Sequence, residues 1–129
     1  MPGAESEHLS GLRVLLVEDS WHIAVAFKNL LRSLGAEVIG PVATTADAER
    51  AMSEQIPDVG IIDFNLRGGE QARGLIDKLN AHDIPVIVVS GYASVPLAPA
   101  KAAVILQKPI AEAQLLEALG RVSARKKAG

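Results

Sequence analysis

Apolar and polar positions along the chain follow two rhythms in turn. Residues Arg13–Val17 form a short β-rich run closed by two acids, Glu18 and Asp19. After Ser20, apolar residues recur at Ile23, Phe27, Leu30, Leu31 and Leu34, the stripe of an amphipathic helix, and Gly35 stands just past its end as a C-cap. The unit of strand, acidic turn and helix then repeats. Glu37–Gly40 predicts a second strand closed by Pro41, and Thr44 or Thr45 caps a helix over Asp47–Gln55 that Pro57 breaks. Val59–Ile62 predicts a buried third strand ending at Asp63. Gly68-Gly69 interrupts the chain before a helix over Gln71–Leu79, with Ala72, Leu75, Ile76 and Leu79 on one face. Pro85–Val89 is the most strand-like run and ends at Ser90-Gly91. Pro96 and Pro99 fall within 93–103 and leave little room for a regular helix there. Val104–Leu106 predicts a fifth strand ending at Lys108-Pro109. Glu112–Ser123 predicts a last helix with Leu115, Leu116, Leu119 and Val122 inward, and with basic residues at its C-terminal end, where the helix dipole favours cations.

Five strands alternating with helices predict an α/β fold: a doubly wound, five-stranded parallel sheet of flavodoxin-like order, with an irregular or shortened fourth helix. No repeat stands out beyond the βα unit itself. The domain is expected over 11–124, with flexible ends at 1–10 and 125–129. A length of 129 residues fits one domain, and 49% apolar residues with a mean hydropathy of +0.24 can bury a core. The net charge of −2 lacks the basic excess of a generic nucleic-acid binder. The absence of cysteine excludes disulfides, thiol catalysis and cysteine-held metals. No apolar run approaches the roughly 20 residues that span a bilayer, and the polar first residues do not resemble a secretory signal, so a cytoplasmic protein is expected.

Open α/β sheets work at the carboxyl ends of their strands. Strand 1 ends in Glu18-Asp19, strand 3 in Asp63, strand 4 in Ser90 and strand 5 in Lys108. Carboxylates crowded on one rim repel by roughly 4 kcal/mol per pair at about 4 Å and an effective dielectric near 20. Such a cluster calls for a cation, and oxygen ligands on turns suit Mg²⁺. Lys108 adds a point charge for a phosphoryl group and Ser90 a hydrogen-bond donor. Taken singly, each has a plainer explanation: an acidic pair at a helix start, a turn aspartate. Trp21 is expected to be half-exposed and His22 solvated, with His8 and His82 at the surface. Gly68-Gly69 lacks the following Lys-Ser/Thr of a phosphate loop and reads as a turn, and Pro96-x-x-Pro99 as a loop constraint.

Glu18-Asp19, Asp63, Ser90 and Lys108-Pro109, in this order on these strand ends, resemble the receiver domains of two-component response regulators over about residues 12–122. The resemblance implies that Asp63 is the phospho-acceptor, attacking the phosphoryl group of a phosphohistidine. It implies that Glu18, Asp19, Asp63 and the backbone carbonyl of Asn65 hold Mg²⁺, that Lys108 and Ser90 contact the phosphoryl oxygens, and that the Lys108–Pro109 bond is cis. The implied partners are a sensor histidine kinase or a histidine phosphotransfer protein, and a downstream protein bound on the face of strand 4, strand 5 and the last helix. Neither nucleic acid nor membrane is implied.

Two features depart from the common receiver pattern. Ile105 stands where most receivers carry the aromatic switch residue of strand 5, and Ser90 and Lys108 lie only eighteen positions apart. Val88-Val89-Ser90-Gly91-Tyr92 is similar to the atypical "FATGUY" single-domain receivers, though the leading Phe-Ala is missing. Tyr92 is therefore expected to replace the absent aromatic, with ordering of 93–103 as the switch, and its bulk to slow loss of phosphate. Two rival functions remain: an adaptor of receiver fold that works unphosphorylated, and a small phosphatase with Asp63 as nucleophile. Against the phosphatase, Asn65 stands where such enzymes carry a second acid.

Overall fold

The two rhythms fold as helices on both faces of one sheet. A computed structural model of the chain describes residues 9–66, 72–92 and 95–128. In chain order the elements are β1 (Arg13–Val17), α1 (Trp21–Ser33), β2 (Glu37–Val42), α2 (Thr45–Glu54), β3 (Val59–Asp63), α3 (Arg73–Ala81), β4 (Val86–Ser90), a 3₁₀ turn (Pro99–Lys101), β5 (Val104–Gln107) and α4 (Glu112–Ala128). All strand pairs are parallel and the sheet order is β2-β1-β3-β4-β5. The order reverses between β1 and β3, the place where such sheets open a crevice at their carboxyl ends.

Strand alternation divides the core. Leu15, Val17, Ile62, Val86 and Val88 face Leu75, Ile76 and Leu79 of α3. Val14, Leu16, Ile61, Ile87 and Val89 face Leu31 of α1 and Leu115, Leu119 and Val122 of α4. Each of these buried aliphatic side chains contributes about 1.5–3 kcal/mol. Leu9, ahead of the expected domain start, is buried in the second cluster, and its carbonyl accepts the Leu12 N–H at 3.0 Å.

Helix ends follow their sequence signals. Thr44, not Thr45, caps α2, its hydroxyl accepting the Asp47 N–H at 3.1 Å. Gly35, at φ +91°, closes α1 with paired bonds from Ala36 N–H to the Leu31 carbonyl and from Gly35 N–H to the Arg32 carbonyl. Asp83 repeats this device after α3.

Several expectations are corrected. The inner face of α4 uses Ala118 beside Leu115, while Leu116 is only half buried, and the helix continues to Ala128. Helix α3 begins at Arg73; the Gly68-Gly69 turn and Gln71 lie outside the described residues. Strand β2 does not stop at Pro41 but runs to Val42. It is an edge strand, where proline is tolerated. Leu15 pairs with Ile39 and Val17 with Val42, so β2 holds one extra residue around the cis Gly40–Pro41 bond. The bulge brings the Val42 carbonyl to the Glu18 N–H at 2.9 Å. Pairing thus reaches the first residue of the acidic rim.

Gly40 makes this bulge possible. Its φ is +102°, and a Cβ there would lie 2.8 Å from the Val42 nitrogen and 3.0 Å from the Leu16 carbonyl oxygen, both backbone atoms that cannot yield. Gly40→Val is expected to cost about 2–3 kcal/mol of stability. Urea unfolding checks this, and a variant as stable as the wild type would show that the bulge can re-form without glycine.

Candidate functional site

The β1, β3 and β5 ends deliver their charged side chains to one place. Glu18 and Asp63 are each 4% exposed, and Asp19 is half-buried. One carboxylate oxygen from each of the three lies within 4.8 Å of the others. The Lys108 ammonium sits among them, 3.1 Å from Glu18 Oε1 and 3.2 Å from Asp63 Oδ2. Residues 45 and 90 positions apart in sequence thereby share one ion-pair network.

Backbone donors orient both buried acids. The Ser20 N–H donates to Glu18 Oε2 at 3.0 Å, and the Asn65 N–H donates to Asp63 Oδ1 at 3.1 Å. Burial nevertheless dominates at Glu18 and, with the Asp63 charge beside it, pushes its carboxyl up to about 7 against the pull of Ser20 and Lys108. At Lys108, burial pulls the ammonium down, but hydrogen bonds and charge from Glu18 and Asp63 outweigh it and the net direction is up. Burial and the neighbouring charge thus both work against ionisation of Glu18, a cost that an added cation would relieve. The donor set is all oxygen, which fits Mg²⁺.

Ser90 is 1% exposed at the end of β4. Its hydroxyl oxygen accepts the Tyr92 N–H at 3.0 Å and its carbonyl accepts the Lys108 N–H at 2.7 Å. The bond from Tyr92 occupies the oxygen and leaves the hydroxyl hydrogen available for donation. Lys108 and Ser90 are tied together by backbone, and the Lys108–Pro109 peptide is cis. Phe64, the residue after Asp63, is fully buried, and the Arg73 guanidinium lies 5.7 Å from its ring centroid.

Asn65 meets the cluster through its backbone N–H, and its side chain is exposed. The remaining candidates lie outside this cluster. Tyr92 is 68% exposed and Ile105 43% exposed, neither held in the core. Trp21, expected half-exposed, is 71% exposed; His22 and His82 are exposed, as expected, and His8 lies outside the described residues. Between β4 and β5, among the described residues, the 3₁₀ turn at Pro99–Lys101 stands in place of an α-helix. The support of Glu18 by the Ser20 and Val42 backbone escaped the sequence reading, because backbone donors and acceptors carry no residue signature.

The sequence profile of the response regulator receiver domain matches residues 14–120, and the chain belongs to this family. It is a receiver domain of two-component signalling. It is 36% identical over 81 residues to a protein-glutamate methylesterase/protein-glutamine glutaminase 1 of Cereibacter sphaeroides, covering 62% of this chain and 22% of that protein. It is 31% identical over 81 residues to the phyllosphere-induced regulator PhyR of Methylorubrum extorquens, covering 61% of this chain and 30% of that one. The chain thus spans less than a third of either relative. The structure of a CheY-like receiver domain from Methylobacillus flagellatus superposes with a TM-score of 0.75 at 31% identity, covering 88% of this chain and 99% of that one. Among the described residues no helix is long and apolar enough to cross a membrane.

Proposed function

We propose that this domain is the phospho-acceptor of a cytoplasmic phosphorelay, taking a phosphoryl group from a phosphohistidine onto Asp63. The observation that carries the reading is the cluster itself: a buried Asp63 carboxylate within 3.2 Å of Lys108 and within 4.8 Å of two further acids. The donor is a sensor histidine kinase or a histidine phosphotransfer protein. Asp63 Oδ2, the oxygen paired with Lys108, attacks phosphorus in line, the P–N bond breaks, and the imidazole leaves with the bonding pair and takes up a proton. Asn65 N–H holds the other Asp63 oxygen and so orients the attacking one. Lys108 contacts the phosphoryl oxygens and Ser90 donates its hydroxyl hydrogen to one of them. Glu18, Asp19, Asp63 and the Asn65 carbonyl would hold Mg²⁺, which when bound supplies charge neutralisation for the transferring group. Phosphorylation then switches binding of a downstream protein on the face of β4, β5 and α4.

A second reading is an adaptor that binds its partner unphosphorylated. The exposed Ile105 and Tyr92, beside a connection that among the described residues holds a 3₁₀ turn in place of a helix, favour it. Beryllofluoride titration followed by backbone amide NMR separates the two. The phospho-acceptor reading expects Mg²⁺-dependent shifts at Asp63, Ser90 and Lys108 that vanish in Asp63→Asn. Shifts spreading to Tyr92 and the residues beyond it would assign the switch there. No response at millimolar Mg²⁺ would overturn the phospho-acceptor and leave the adaptor.

A further inference from the structure

Lys101, the last residue of the 3₁₀ turn, is held in three ways. Its N–H donates to the Ala98 carbonyl at 2.9 Å and closes the turn. Its carbonyl accepts a bond from the Asn80 side-chain amide at 2.9 Å. Its ammonium pairs with Asp77 at 2.9 Å. Asp77 and Asn80 lie three residues apart on α3 and so share a face. The Asn80 amide group spends its second hydrogen on the Ile76 carbonyl, also at 2.9 Å, which anchors the side chain to its own helix.

Apolar contacts reinforce this junction. Val95, Leu97 and Ala102 are half-buried and pack against the cluster that holds Leu75, Ile76 and Leu79 of α3. The neighbouring Ala103 N–H donates to the Val86 carbonyl at 2.9 Å and enters the sheet. At its other end α3 is tied to the acidic rim, since the Ala72 N–H donates to the carbonyl of Phe64 at 3.1 Å, one residue after Asp63.

We infer that Asn80 and Asp77 latch the segment 95–102 onto α3 as a strap that opens as one unit, and that the latch sets how far the apolar side chains of α3 packed beneath it are covered. In most doubly wound sheets a packed helix would seal this crossover. Here, among the described residues, three half-buried apolar side chains and one bridging asparagine do the sealing, few enough contacts for the segment to open locally without unfolding the sheet. Asn80 carries more of the latch than Asp77. Its amide bonds are half-buried and directional, whereas the Asp77–Lys101 pair is about half exposed on both sides and worth little. The inference rests on this junction alone and stands whether or not Asp63 accepts phosphate.

Native-state hydrogen exchange on the full chain tests it. In Asn80→Ala the amides of Leu97, Lys101 and Ala103 are expected to exchange about tenfold faster, while those of Val17 and Ile62 in the central strands keep their protection. Asp77→Asn is expected to accelerate the same amides by less than about threefold. Binding of an apolar fluorescent dye should rise in Asn80→Ala with far-ultraviolet dichroism unchanged. Unchanged exchange at Leu97 and Lys101 would overturn the latch. Equal acceleration throughout the sheet would overturn it too, by showing Asn80 to be a support of the whole fold.

Discussion

Asp63→Asn is expected to take up no phosphoryl group from acetyl phosphate or phosphoramidate, while the wild type reaches one per chain in Mg²⁺. The amide oxygen of asparagine has no charge to place on phosphorus, and a transferred phosphoryl group would sit on a neutral, poorly nucleophilic atom. The exchange is otherwise nearly isosteric. Asn65 N–H can still donate to the side-chain oxygen, and Lys108 keeps Glu18 as partner. Removing one of two buried acids also relieves their repulsion, so the urea midpoint should equal or exceed that of the wild type. Intact-mass measurement after incubation with the donor reads the outcome directly. A variant that still gains one phosphoryl group would move the acceptor to another residue and sink the proposed mechanism.

Lys108→Met has the second-largest expected effect, on stability and chemistry together. Glu18 and Asp63 are each 4% exposed, and the ammonium that neutralises them would be gone. Breaking a buried pair from one side costs about 3–5 kcal/mol when the remaining charge cannot escape. Glu18 can escape by protonation, since burial already holds its carboxyl near 7 in the presence of Lys108, and losing the cation raises it further. The sign follows: a carboxyl raised in the folded state favours folding at low pH, and that contribution is lost as pH rises through the folded value. The deficit of Lys108→Met against wild type should therefore be small near pH 6 and large near pH 9. Millimolar Mg²⁺ should restore part of it at the higher pH. Urea unfolding at the two pH values, with and without Mg²⁺, checks this. Phosphoryl uptake should slow by about 10²-fold or more, the usual loss when one charged donor to a transferring group is removed. Stability equal to wild type at both pH values would mean that the carboxylates do not depend on the ammonium.

Much of the fold was legible because its signals are local. The step from apolar run to amphipathic stripe marked the order of strands and helices, Gly35 and the pair Thr44-Thr45 marked helix ends, and Pro96 with Pro99 foretold that, among the described residues, no long helix joins β4 to β5. The chemistry-bearing residues stood out for the same reason: each is the side chain at the end of a strand. Proline was read too simply. Pro41 would stop a central strand, but on the edge strand β2 it sits in a bulge, and edge position is a property of sheet order rather than of residues 37–42. The inward face of α4 was misread at Leu116 for a related reason, since a wide apolar stripe has two sides and only the packed sheet selects between them.

The chain by itself thus determined the alternation of elements, and the placing of Glu18, Asp19, Asp63, Ser90 and Lys108 at their carboxyl ends. Only the tertiary structure decided what these residues feel. Strand order sets β1 beside β3, which buries Glu18 next to Asp63 and pushes the one carboxyl up to about 7, while β4 and β5 on the far side of β3 bring Lys108 to both from 90 and 45 positions away. The same holds for Asn80, unremarkable on a helix face until the fold sets the Lys101 carbonyl against it. Desolvation and charge pairing depend on neighbours in space, and those neighbours exist only once the strands have chosen their partners.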